Sequence, residues 1–177
     1  MLGLVLLALL PCLSAQLVWG QESPLDRIGL AVRTETPPFL DGYLDDPQWQ
    51  SAERLTAFTV AGSPSQLPRS QTVGRVLYDQ QRLYLGLECF EPNMHLLLYQ
   101  KRARDEPIWR DDSIEIHFDP HQEKANYYQV IVNPAGSFYD AIETDESWNG
   151  DVKVRAQRLE DRWTFEVSLT FASLDAP

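Results

Sequence analysis

From residue 70 onward, apolar and polar residues alternate with a period of two over much of the chain. That period sends successive side chains to opposite faces of a strand. In SIEIHF (113–118), Ile114, Ile116 and Phe118 share one face, and Ser113, Glu115 and His117 share the other. In RWTFEVSLTF (162–171), Trp163, Phe165, Val167 and Leu169 face a core, and Thr164, Glu166 and Ser168 face water. In DVKVRAQ (151–157), Val152, Val154 and Ala156 oppose Lys153, Arg155 and Gln157. Short linkers join these runs into hairpins. RVLYD (75–79) and LYLGLECF (83–90) flank 80–82, YYQVIV (127–132) and SFYDAI (137–142) flank 133–136, and the last two runs flank 158–161. Between them stand turn clusters such as TETPPF, DGYLDDP, GSPSQLP and WNGD. Only Asp46–Arg54 reads as helical, with Pro47 near its start, and HLLLYQ (95–100) is ambiguous. The pattern predicts an all-β fold, an antiparallel β-sandwich of the jelly-roll or immunoglobulin-like two-sheet kind, each strand with one buried and one wet face.

The N-terminus breaks this pattern. Residues 1–20 carry no charge, and their apolar run Leu2–Leu10 is shorter than the roughly 20 residues a bilayer span needs. We expect a secretory signal, cut after Ala15 or Gly20, and a secreted or periplasmic protein without a transmembrane segment. A lead-in at 21–36 precedes one domain at 37–177. Of the two cysteines, Cys12 falls in the leader. Cys89 is then alone, with no internal disulfide, and reads as a buried structural thiol.

Charge narrows the partners. The chain has 15 basic and 26 acidic residues among 177, a net charge of −11, which repels phosphate backbones and argues against nucleic acid. No G-x-S-x-G, H-E-x-x-H or phosphate loop is present, and no hydrolase motif pairs two carboxylates. No catalytic residue is assigned. His117 and His121 straddle a turn at Pro120, a poor zinc spacing. The acidic turns DGYLDD (41–46) and ETDESWNGD (143–151) offer oxygen ligands for calcium, or simply make turns.

Five segments taken in order carry a resemblance: LDGYLDDPQW (40–49), RVLYDQQRLYLGLECFEP (75–92), PIWRDDSIEIHFDP (107–120), YYQVIVNPAGSFYDA (127–141) and W-x-x-E at 163–166. Together they resemble the family 9 carbohydrate-binding modules and their bacterial relatives, within the DOMON-like group. The resemblance implies a secreted, non-catalytic β-sandwich that binds a saccharide reversibly and supports polysaccharide breakdown by a fused or partner glycoside hydrolase. In such modules one Trp stacks on the sugar and one Glu bonds its hydroxyls, which in WRDDSIE falls on Trp109 and Glu115. A pyranose offers a C–H face to an aromatic plate and hydroxyls to a carboxylate. The strand bearing a ligand-binding Arg in characterised members reads YYQVIV here, without Arg. The segment carrying their second stacking Trp would follow LDAP, so the module is expected to lack its last strand or strands and to leave a sheet edge unpaired.

Each site residue has a structural reading beside the functional one. Trp109 packs on a rim or contacts ligand. Glu115 solvates an open strand face or bonds sugar. Asp111 and Asp112 cap the turn before the strand, with Asp112 a further candidate contact. Trp148 is a candidate second aromatic surface outside any matched motif. Two alternatives stand beside sugar binding. One is a haem-binding DOMON-like module using the adjacent Met94 and His95, which on a strand would point to opposite faces. The other is an interaction sandwich whose sugar site has decayed.

Overall fold

A computed structural model describes residues 29–63 and 65–176. The expected leader at 1–20, and residues 21–28 of the lead-in, lie outside the described residues. Among the described residues there are eight strands: β1 (Val32–Arg33), β2 (Thr72–Tyr78), β3 (Arg82–Phe90), β4 (Ile114–Phe118), β5 (Tyr128–Val132), β6 (Phe138–Ile142), β7 (Val152–Arg158) and β8 (Arg162–Thr170). They form a five-stranded sheet in the order β1-β2-β3-β8-β7 and a three-stranded sheet β4-β5-β6. All pairings are antiparallel except β1 with β2. The three expected hairpins form as β2–β3, β5–β6 and β7–β8. Among the described residues there is a single short helix, α1 (Pro47–Ser51), which begins with proline, whose missing N–H is no loss at the first turn. HLLLYQ is neither strand nor long helix: Met94–Leu96 makes one 3-10 turn and the chain then runs extended. No helix among the described residues is long and apolar enough to cross a membrane.

The alternation places the core as expected. Leu85 and Leu87 of β3, Phe165 and Val167 of β8, and Ile116, Val130 and Val132 of the small sheet form one buried cluster between the sheets. Trp163 stacks on Phe165 within it, ring centroids 5.1 Å apart. Cys89 is buried there as well.

One expectation fails on the far side of the large sheet. Thr164, Glu166 and Ser168 are buried rather than wet, and Glu166 has no exposed surface at all. The segment before β2 folds back over this outer face, where Trp49 and Ala52 pack with Leu77 and Tyr84, and Val32, Leu40 and Leu44 close the cluster. Glu166 receives three hydrogen bonds from this cover: Trp49 Nε1 at 2.9 Å, the Asp41 amide at 2.9 Å and the Gly42 amide at 2.7 Å. Burial raises the Glu166 carboxyl above its ordinary pKa, and these donors oppose the shift. A carboxylate so enclosed belongs only where donors meet it, since an unpartnered buried charge is costly. Two glycines make room. Gly86 pairs with Glu166 across the β3–β8 ladder, and a Cβ there would lie 2.3 Å from Leu44 Cδ2 and 3.2 Å from Trp49 Cη2. Gly42 has φ +94° and presses on the Ala156 backbone, where a Cβ would approach to 2.8 Å. The motifs at 40–49 and 163–166 therefore meet each other and hold the fold.

Candidate functional site

The outer face of the small sheet holds the sequence's two leading candidates. The register aligns Glu115, Ile131 and Tyr139 in one row across β4, β5 and β6, and His117, Gln129 and Ala141 in the next. At about 4.8 Å per strand, Glu115 and Tyr139 stand roughly 10 Å apart. Ile108, fully buried, packs on Ile131, Tyr139 and Ala141 and seats the 3-10 turn Ile108–Arg110 on this face. That anchor fixes Trp109, whose ring stands edge-on to Tyr139 at 5.3 Å and 88°. Trp109 nonetheless remains 54% exposed. An indole held rigidly and left uncovered is a platform for a flat apolar surface.

Glu115 is held by its neighbours in the next row. His117 Nε2 lies 2.6 Å from Glu115 Oε1, close enough for the ring N–H to donate to it, and the Gln129 side-chain amide donates to the same oxygen. The His117 ring stacks on Tyr127 with centroids 4.5 Å apart. Gln129 was missed by motif reasoning, although the alternation in YYQVIV already puts it on the Glu115 face. Tyr139, missed too, donates its hydroxyl to Glu146 Oε1 at 3.2 Å. Burial first, and then the Glu146 charge, push the Tyr139 hydroxyl up to about 12, so it stays a neutral donor.

The other candidates lie elsewhere. Asp112 is committed to the loop before β4: its amide donates to Leu98 O at 2.8 Å and its carboxylate accepts from the Leu98 amide at 2.7 Å. Asp111 accepts from Arg102, from the Gln100 amide and from Asn133 Nδ2, and the Arg102 bond foremost holds its carboxyl below the ordinary range. Both aspartates thus fasten residues 98–102 to the start of β4, which sets the pose of the Trp109 turn between them. Trp148 is not brought to Trp109. It packs edge-on against Tyr128, centroids 5.0 Å apart, and Tyr128 lines the inter-sheet side of β5.

The acidic turns have local partners. Asp41 accepts from the Tyr43 amide, Asp46 from the Phe39 amide, Glu143 from the Asn126 amide and Asp145 from the Ser147 amide. Among the described residues no three His, Cys, Asp or Glu side chains gather as a metal cluster. Met94 packs against the core while His95 is exposed, so the two do not converge on one point.

Comparison with known proteins agrees with this architecture. The family model described as "Carbohydrate family 9 binding domain-like" matches residues 40–177. A family 9 carbohydrate binding module from Caldicellulosiruptor kristjanssonii, solved with cellotriose, is similar at 18% identity and a TM-score of 0.58 over 80% of this chain. This chain spans 66% of that protein's length. The same module solved with glucose gives 18% identity and a TM-score of 0.57, covering 80% of this chain and 68% of that one. A structure from Bacteroides uniformis matches with a TM-score of 0.60 at 11% identity, over 82% of this chain and 73% of its own. No curated protein matches the chain.

Proposed function

The chain belongs to the family 9 carbohydrate-binding domain-like proteins, and on that premise we propose that it binds a saccharide on the outer face of its small sheet, with no catalytic step. The observation that carries this reading is Trp109, rigidly mounted on Tyr139 and exposed on the same sheet face as Glu115. A pyranose lays its C–H face on the indole. Glu115 and Gln129 meet its hydroxyls, the carboxylate as acceptor and the amide as donor or acceptor. The sugars bound by the two Caldicellulosiruptor structures, cellotriose and glucose, make β-glucans the first ligands to try.

An open platform of this size gives weak, reversible binding, which suits a module that tethers a catalytic partner to its substrate. In this reading residues 1–20 direct export and the partner is a glycoside hydrolase. Calorimetric titration with glucose and cellotriose tests the site. Trp109→Ala should abolish measurable heat while leaving the circular dichroism spectrum unchanged. An unaltered affinity in that variant removes the assignment.

A further inference from the structure

The outer face of the small sheet carries acid but no lysine or arginine. Its side chains are Glu115 and His117 on β4, Gln129 and Ile131 on β5, and Tyr139 and Ala141 on β6. Two carboxylates stand at its sides. Glu115 lies on β4, and Glu146, beyond the end of β6, accepts from the Tyr139 hydroxyl at 3.2 Å. Each keeps an uncommitted oxygen. His117 Nε2 and the Gln129 amide both meet Glu115 Oε1, and the Tyr139 hydroxyl meets Glu146 Oε1. Among the described residues, the Oε2 atoms of Glu115 and Glu146 have no protein partner.

Other acids of the fold are answered by guanidinium groups. Glu88, Asp111, Asp140, Asp151 and Asp161 each pair with an arginine. Among the described residues neither Glu115 nor Glu146 pairs with a lysine or arginine, and Arg110, next to Trp109 in the turn, meets neither. The field beside the indole has the same sign. Trp109 stands edge-on to Tyr139, and the charges acting on the Tyr139 hydroxyl come from Glu146, Asp105 and Asp140. Arg104 answers Asp105 and Asp140, which leaves Glu146 with the tyrosine hydroxyl.

We propose that this face takes an amino sugar, a β-linked glucosamine chain whose ammonium groups meet Glu115 and Glu146 while one ring lies on Trp109. The inference rests on the saccharide reading of the site and narrows its ligand class. Replacing a glucose hydroxyl by an ammonium leaves the C–H face of the ring intact for the indole. An ammonium has three donors and no acceptor, which suits a face whose free groups are acceptors. Its bond to a carboxylate is charge-assisted and outranks that of a neutral hydroxyl, and the indole's π face attracts a nearby cation as well. A uronate would instead bring a carboxylate to two carboxylates, with no lysine or arginine on the sheet face to receive it. Glu115 and Tyr139 stand roughly 10 Å apart across three strands, and Glu146 lies beyond the tyrosine hydroxyl. One ring does not reach both acids, whereas a chain of two or three rings does.

The full chain, ¹⁵N-labelled, is titrated by NMR with glucosamine trimer, cellotriose and trilysine, at low salt and slightly below neutral pH. Both sugars should shift the Trp109 indole N–H and the Glu115 and Gln129 amides. The glucosamine trimer should bind about fivefold more tightly, the scale of two exposed ion pairs. Added salt should erase that margin. Glu146→Gln should bring the ratio of the two affinities close to one, and Trp109→Ala should lose both sugars. Equal or weaker binding of the glucosamine trimer overturns the inference and leaves the saccharide site standing. A margin that survives high salt or the Glu146→Gln change does the same. Trilysine bound at these amides as tightly as the glucosamine trimer overturns it too, since the net charge of the protein would then explain the attraction. Failure of both sugars to bind removes the saccharide reading and this one with it.

Discussion

Glu166 shows how much one side chain ties together: its two oxygens hold Trp49, Asp41 and Gly42 from more than a hundred residues away in sequence. Glu166→Gln keeps the shape and removes one acceptor, turning a clamp into a donor facing donors. We expect a loss of about 2–3 kcal/mol in urea unfolding at mildly acidic pH. The pH dependence of that loss has a definite sign. The folded-state carboxyl has a raised pKa. Its contribution is therefore complete below the ordinary glutamate pKa and falls as pH climbs from that value through the raised one. The gap between wild type and Glu166→Gln should accordingly narrow with rising pH over that window. A gap that widens contradicts the burial of this group as described. On the outer face of the small sheet the same scale governs: the exposed Trp109 is fixed by the burial of its neighbour Ile108, so the pose of the indole depends on a residue that is itself fully buried.

Among the elements, β3 and β8 carry both layers of the molecule. Their inner faces build the inter-sheet core, and their outer faces receive the N-terminal cover. The space for that cover is measured by a pair of glycines. A Cβ on Gly86 would lie 2.3 Å from Leu44, whereas one on Gly74 of the adjacent β2 meets nothing nearer than 3.6 Å. Gly86→Ala should cost about 1–3 kcal/mol through overpacking. Gly74→Ala should fall near or above wild type, since alanine loses less backbone entropy on folding. Chemical denaturation of the two variants side by side separates them, and similar stabilities would contradict the close packing of Leu44 and Trp49 over β3.

For the whole molecule, Cys89 is a built-in reporter. It is buried between the sheets, and burial pushes its thiol up to about 12. The thiolate is the reactive species, so a native molecule at neutral pH should resist a thiol reagent and react only when the sheets part. Labelling rates measured across a urea series should follow global unfolding. Rapid labelling in buffer alone would mean that the end of the sandwich near β3 opens by itself.

Much of this was legible in the residues. The period of two gave the strands, the turn clusters gave the three hairpins, and the ordered motifs gave the family, because local geometry and side-chain polarity act over a few residues at a time. The place of Glu115 on the outer face of its strand was legible for the same reason. What lies on the far side of a strand was not. Thr164, Glu166 and Ser168 look solvated in any local reading, and only the return of residues 29–55 across β8 buries them. Gln129 joined Glu115 only once the β4–β5 register was set, and the place of Trp148 against Tyr128, apart from Trp109, follows only from Tyr128 facing the core. Alternation says which residues share a face. What covers that face depends on contacts between segments far apart in sequence, and these are decided by the free energy of the packed molecule as a whole.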